Sequence, residues 1–353
     1  MEKKISVALA TYKGAPYIAE LLESLSQQHL LPFELVVSDD NSPDETLSIV
    51  AAFSANAPFK VKIVSNEKQL GIIKNFAVAF DNCEGDLIAY CDQDDVWMPD
   101  KLATLYRCFE RPDVKLAMHR SEVVNSKLES LGYCISAAHG VEAGEVIFPS
   151  TIDMTYGLGH QMLFDAQMYR NYAWIFRKNL LPLQSAASNY DVQLRLMAGL
   201  SGNIISLEKV LVKFRRHVHS TSDAGRVDPK TATTSGFLNK STVAYKQQAD
   251  EFAALAVVFS QEIFPKMPEH RDQLQKYIDF LKERSKTISL RSVIYQSSSI
   301  WTRQKSFWYL LWRGAYVPKI QRGLGRRAAL VDAFVSLFGL HRAQSLVARR
   351  QGL

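Results

Sequence analysis

The sequence predicts an α/β protein, a mostly parallel sheet flanked by helices with a C-terminal helical extension. Three observations predict it. Strand-like and helix-like apolar patterns alternate over the first hundred residues, a polar cluster ends each strand-like run, and beyond residue 240 the spacing is helical. Alternation of this kind builds crossover units whose helices cover both faces of a parallel sheet.

In chain order, Ile5–Ala10 reads as a buried strand. Ala15–Gln28 reads as a helix, with Ile18, Leu21, Leu22 and Leu25 on one face. Phe33–Ser38 is a second strand, Asp44–Ala55 a helix, Val61–Ser65 a third strand and Ile72–Asp81 another helix. Leu87–Cys91 is a fourth strand, followed by the acidic turn Asp92–Asp95. Further on, Lys115–Asn125, Gly144–Phe148, Gln161–Phe164 and Val210–Phe214 read as strands, and Val192–Leu200 as a helix. Thr155–Gly159 is a loop. Asp223–Lys240, rich in Thr, Ser, Gly and Asp, reads as a flexible linker or lid. Ser241–Phe264 and His270–Ser289 are helical, and a basic helical tail follows. The expected division is therefore 1–222, a linker at 223–240, and 241–353.

With 47% hydrophobic and 22% charged residues the composition is globular, which sets aside disordered and collagen-like readings. The four cysteines are scattered and form no CxxC pair, so a reducing compartment is expected rather than a disulfide framework or zinc site. The apolar run after Lys4 is too short for a signal-peptide core, and no stretch reaches the roughly 18 apolar residues of a spanning helix. The net charge of +6 is unevenly spread: residues 301–353 hold ten Lys or Arg against one acid, Asp332.

In parallel sheets, ligands bind outside the carboxyl ends of the strands. Thr11 and Tyr12, Asp39 and Asp40, Asn66, and Asp92–Asp95 follow the four strands in turn, so four polar clusters converge on one cleft. Three carboxylates within four residues, Asp92, Asp94 and Asp95, repel one another, and a divalent cation with oxygen preference, Mg2+ or Mn2+, relieves that repulsion. The alternative is an acidic cap on a helix over Pro99–Glu110. Asp39 and Asp40 suit either the N3–H of a pyrimidine base or an Asx-turn. Lys74, after Gly71, offers a cation to phosphate or is simply solvated. Asp191 opens an apolar helix, as general base or as N-cap. Arg216 and His217 follow a late strand, where they can grip diphosphate or lend the metal a nitrogen, or lie in a solvated basic loop.

Taken in this order and spacing, Ala10-Thr11-Tyr12, Ser38-Asp39-Asp40-Asn41-Ser42, Asn66 through Asn75, Cys91-Asp92-Gln93-Asp94-Asp95-Val96-Trp97 and the regions of Gly159 and Asp191 resemble the family 2 glycosyltransferases of GT-A fold, in particular their rhamnosyltransferase-like branch. The resemblance spans roughly residues 4–220. It implies transfer of a sugar, with inversion, from a dTDP- or UDP-linked donor to a glycan or polyprenyl-diphosphate-linked acceptor in bacterial surface polysaccharide synthesis. It places the base near Thr11, Tyr12 and Asp40 with Asp39 in support, and the diphosphate near Lys74 and Arg216. Asn66, Asp92 and Asp94 complete the nucleotide-binding set, with Asp94 on the ribose or the metal. The metal falls to Asp94, Asp95 and His217, and the general base to Asp191. Two departures stand out: Lys74 where the family often has Arg, which loses a bidentate grip, and Tyr190-Asp191 where it usually has Glu-Asp.

The tail mixes Trp301, Phe307, Trp308, Leu310, Leu311 and Trp312 with Arg303, Lys305, Arg313, Lys319 and Arg322. That mixture suits an anionic membrane surface and a cytoplasmic enzyme peripheral on the inner membrane. It equally suits a helical subdomain packed on the core or on a second copy in a homo-oligomer. Two other classes compete for the chain as a whole. A nucleotidyltransferase or sugar-nucleotide synthase usually carries a Gly-rich phosphate loop near its N-terminus, where this chain has Lys13-Gly14 alone. Nucleic-acid binding through the tail leaves the acidic strand ends unexplained.

Overall fold

The computed structural model describes residues 2–135, 146–147, 158–178, 189–217, 242–317, 324, 326–340 and 342–344. Strands β1 (Ile5–Thr11), β2 (Glu34–Asp39), β3 (Lys60–Ser65) and β4 (Leu87–Asp92) alternate with helices α1 (Ile18–Ser26), α2 (Thr46–Ser54) and α3 (Ile72–Asp81). The four strands are parallel neighbours in the order β3-β2-β1-β4. Every residue of β1 and β2 is buried, which is why Val7–Ala10 and Leu35–Val37 read as unbroken apolar runs. β3 lies at the sheet edge, half exposed and carrying Lys60 and Lys62, charges that discourage edge-to-edge pairing.

The chain continues through β5 (Val96–Trp97), α4 (Lys101–Cys108), β6 (Val114–Val124), β7 (Ser130–Ile135) and β8 (Val146–Ile147). A 3₁₀ turn at Gly159–Gln161 leads into β9 (Met162–Asp165), α5 (Ala166–Lys178), α6 (Asn189–Ser201) and β10 (Asn203–Arg215). The sheet order is β3-β2-β1-β4-β9-β6-β10-β5, with β7 added on β6 and β8 on β10. Its second half is mixed: β9 runs antiparallel between β4 and β6, while β6 and β10 are parallel. Apolar patterning locates strands without giving their direction. Residues 166–178, which the sequence reading leaves unassigned, form α5, whose buried face mixes Met168, Tyr169, Tyr172, Ala173 and Ile175.

Compact units span Met1–Ser222 and Asp223–Leu353. The expected linker at 223–240 lies outside the described residues. In the second unit, α7 (Thr242–Val258) passes through a π-helical turn at Phe259–Ile263, followed by α8 (Arg271–Gln296), α9 (Ile300–Trp312) and α10 (Arg326–Phe338). Ser299 caps α9 by accepting the Thr302 N–H. The tail's one acid, Asp332, is fully buried, where it accepts two Arg291 N–H groups and the hydroxyls of Tyr295 and Tyr316. Among the described residues no helix is long and apolar enough to cross a membrane.

Candidate active site

The strand order reverses between β1 and β4, the place where open α/β sheets leave a crevice for ligands. There Ala10 pairs with Asp92. One residue further on, the Gln93 amide bridges the two strand ends, accepting the Tyr12 N–H at 2.9 Å and donating to the Tyr12 carbonyl at 2.9 Å. Buried Asn75 of α3 ties the neighbouring ends together. It accepts from the Ser38 hydroxyl (2.6 Å) and the Asn66 amide (2.9 Å), and it donates to the Thr11 carbonyl (3.1 Å).

Asp39 accepts the Thr11 hydroxyl at 2.7 Å and both the N–H and the hydroxyl of Ser42. Asp40 accepts the N–H groups of Leu70 (2.6 Å) and Gly71 (2.9 Å). It thereby fixes the turn that leads to Lys74, a turn that needs glycine for its φ of 84°. Asp40 Oδ1 also accepts the Asn66 amide at 3.5 Å, so the further lone pair is left on Oδ2. Lys74 is exposed on the first turn of α3.

The acidic turn has an inner and an outer half. Asp95 is fully buried; its Oδ1 accepts the Arg215 N–H at 3.1 Å, and its Oδ2 has no hydrogen-bond partner. His160, also fully buried, stacks on Phe214 with ring centroids 4.4 Å apart. Its Nε2 lies 2.8 Å from the Ser121 hydroxyl. Its Nδ1, again without a hydrogen-bond partner, stands 3.7 Å from Asp92 Oδ2 and 3.7 Å from Asp95 Oδ2. Burial pushes the His160 pKa well below its ordinary value, so the imidazole is neutral, the form that ligates metals. Burial, together with the charge of Asp94, pushes Asp92 and Asp95 upward. In the outer half Asp94 pairs with His217 at 2.9 Å, and His217 packs on Tyr17.

These atoms fit a divalent cation. One oxygen each from Asp92 and Asp95 and one nitrogen of His160 lie within 4.8 Å of one another, a set of two hard oxygens and one imidazole. The unpaired Asp95 Oδ2 and His160 Nδ1 are buried polar atoms of the kind that an ion would satisfy. The sequence points to Asp94, Asp95 and His217 as the metal set. The structure gathers Asp95 with Asp92 and His160, and it pairs Asp94 with His217.

Two buried cations frame the turn. Lys101 donates to the His160 carbonyl at 2.8 Å and lies 3.4 Å from the centre of the Trp97 ring. Burial drives its pKa down to about 7, against the pull of Cys91, Asp95 and Asp92. Arg215, 2% exposed, donates to the carbonyls of Asp94 and Ser126 and pairs with Glu20. Arg216, the cation the sequence reading selected, lies over the Phe214 ring at 4.8 Å.

Asp191 reaches the same neighbourhood from the first turn of α6. It is 4% exposed and accepts the Gly159 N–H, and its Oδ1 has no hydrogen-bond partner. Burial, then the charge of Asp92, holds its carboxyl well above the usual range. Gly159, which links Asp191 to His160, lies flat on Tyr90, so an added Cβ would stand 2.4 Å from the ring.

Residues 6–174 match the family model described as Glycosyl transferase family 2. This segment belongs to glycosyl transferase family 2. The family 2 segment thus contains the strand ends, the acidic turn and His160, while Asp191, Arg215 and His217 lie beyond it. An uncharacterised glycosyltransferase of Nostoc sp. is 32% identical over 124 residues, 35% of this chain and 38% of that protein. The dTDP-rhamnosyl transferase RfbG of Shigella flexneri is 33% identical over 104 residues, 28% of this chain and 36% of its own. The chain spans about two-fifths or less of the first such relatives. The crystal structure of S. aureus TarS 1–349 in complex with UDP-GlcNAc aligns with a TM-score of 0.54 at 17% identity, covering 99% of this chain and 92% of that one. That likeness is one of fold, and the fold is GT-A.

Proposed function

We propose that this chain transfers a sugar, with inversion, from a pyrimidine nucleoside-diphosphate donor to an acceptor hydroxyl. The observation that carries the reading is the meeting of the Asp92–Asp95 turn, His160 and Asp191 beside the β1–β4 switch point. The family 2 match supports it. The UDP-GlcNAc held by TarS and the dTDP-rhamnose chemistry in the name of RfbG favour a dTDP- or UDP-sugar, with rhamnose the leading candidate. The acceptor is a glycan or a polyprenyl-diphosphate-linked saccharide of bacterial surface polysaccharide synthesis, met at the cytoplasmic face of the membrane.

Asp92, Asp95 and His160 would hold Mn2+ or Mg2+, with Asp94 and His217 at the rim. Such an ion supplies a Lewis acid that offsets charge on the departing diphosphate. The rest of the work belongs to the chain. The Thr11–Tyr12 backbone, Asn66 and the free lone pair of Asp40 Oδ2 border the base, and Asp39 holds their loops in place. Lys74 and Arg216 add positive charge for the phosphates. Asp191 takes the acceptor hydroxyl proton at its unpartnered Oδ1. Its raised pKa makes it a stronger base than an ordinary carboxylate, provided that it is deprotonated when the acceptor arrives.

A panel of nucleotide sugars tests the reading, with thermal shift and transfer measured in parallel. A dTDP- or UDP-sugar with Mn2+ at 100 times its Kd is expected to stabilise the protein by about 2.7 kcal/mol. It is also expected to yield a glycosylated acceptor with no triphosphate present. A shift or turnover that requires a nucleoside triphosphate and a sugar phosphate would instead mark a nucleotidyltransferase.

A further inference from the structure

The helical unit divides the large apolar residues of the tail into two sets. Phe307 and Leu310 are buried, and Arg303 turns inward to donate to the carbonyls of Ser297, Ser298 and Ser336. Trp301, Trp308 and Trp312 do the opposite, with exposures of 83%, 59% and 80%. At about 100° per residue, these three positions on α9 fall within about 40° of one another, so their side chains form one line roughly 16 Å long. Exposed Lys305 lies in the same sector, one turn beyond Trp301. Three of the chain's five tryptophans therefore point outward in a single row.

A row of exposed indoles needs a partner, since large apolar side chains are seldom left together in water. The charge around it points to one occupant. Between Ser297 and Val331 the chain has seven Lys or Arg and no acid, and the acid that follows, Asp332, is buried under Arg291 and two tyrosines. The neighbouring carboxylate of Glu283 is paired with Arg313. Indole has an apolar body and an N–H, which suits the boundary between lipid headgroups and acyl chains; lysine reaches from the same depth to anionic headgroups. The core of a protein–protein interface would be depleted of charge, whereas here Lys305 lies within the row.

We infer that the Trp301–Trp308–Trp312 face of α9 is a docking surface for an anionic lipid bilayer, with the indoles in the headgroup region and Lys305 against acidic lipid. The inference stands on the helical unit alone and does not depend on the transferase reading.

The test uses the full chain, with flotation on vesicles of phosphatidylcholine alone or with one quarter phosphatidylglycerol. The unsubstituted protein is expected to float with the phosphatidylglycerol vesicles, less so as salt rises, and its tryptophan emission to shift to the blue. Trp301→Ser/Trp308→Ser/Trp312→Ser is expected to bind at least tenfold more weakly with unchanged circular dichroism, because all three side chains are exposed. Lys305→Glu is expected to weaken binding to phosphatidylglycerol vesicles only. Failure of the unsubstituted chain to float would overturn the inference, as would equal flotation of the triple variant. So would a dimer in sedimentation velocity that the triple variant converts to monomer, since the row would then be a contact between copies of the chain.

Discussion

Asp191→Asn is expected to lower kcat for sugar transfer by about 10²- to 10⁴-fold, the range supplied by a positioned general base. Donor affinity should stay within about threefold, because the substitution keeps the shape of the side chain and the acceptor oxygen for the Gly159 N–H. Stability is expected to move the other way. Burial and the charge of Asp92 raise the folded-state pKa of Asp191 above its unfolded value. The folded protein therefore holds the proton more tightly, and stability is lost as pH rises from the unfolded pKa towards the folded one. The Asn variant avoids that loss. Its melting temperature should equal or exceed that of the parent at pH 7–8, and the gap should close below about pH 4. An Asn variant with full turnover would remove Asp191 from the chemistry.

Asp95→Asn is expected to abolish the Mn2+-dependent thermal shift and to reduce kcat/KM at least about 10³-fold, while the metal-free protein stays folded. The replacement still accepts the Arg215 N–H, so the packing survives. What it loses is the charge on a fully buried atom that has no hydrogen-bond partner. The raised pKa values of Asp92 and Asp95 add a pH test. A cation must displace their protons, so its apparent affinity should rise with pH and its binding should release protons, both measurable by titration calorimetry in buffers of different ionisation heat. Unchanged Mn2+ affinity in Asp95→Asn would move the ion to another site.

Much of this arrangement is legible in the sequence because burial on both sides of a parallel sheet leaves a strong pattern. Ile72–Asp81 is read as a helix with the bounds the structure gives, and the first four strands agree to within a residue at each end. The polar residues at the strand ends are legible for the same reason: a hydrophilic cluster after an apolar run marks the edge of the sheet. The residues that complete the site leave weaker signals. His160 is a lone histidine after a glycine, and only the 3₁₀ turn that lays Gly159 on Tyr90 carries its ring behind the acidic turn. Lys101 opens a helix, where lysine ordinarily reads as solvated, yet it is completely buried, its ammonium over the Trp97 ring and on the His160 carbonyl. Arg215 and Arg216 are indistinguishable by composition. Neighbours at a strand end point to opposite sides, and nothing local says which one faces the turn. Asn75 falls within the Asn66–Asn75 motif, but its role in joining three strand ends depends on tertiary register.

The most direct test of the acidic turn as a cation site is a crystal grown with manganese and UDP or dTDP, with data collected at a wavelength where manganese scatters anomalously. A manganese peak is expected within about 2.2 Å of a carboxylate oxygen of Asp92 or Asp95 and of a nitrogen of His160, with the diphosphate on its open side. Bound nucleotide with no manganese at that turn, and with the Asp95 and His160 side chains still facing each other unoccupied, would contradict it.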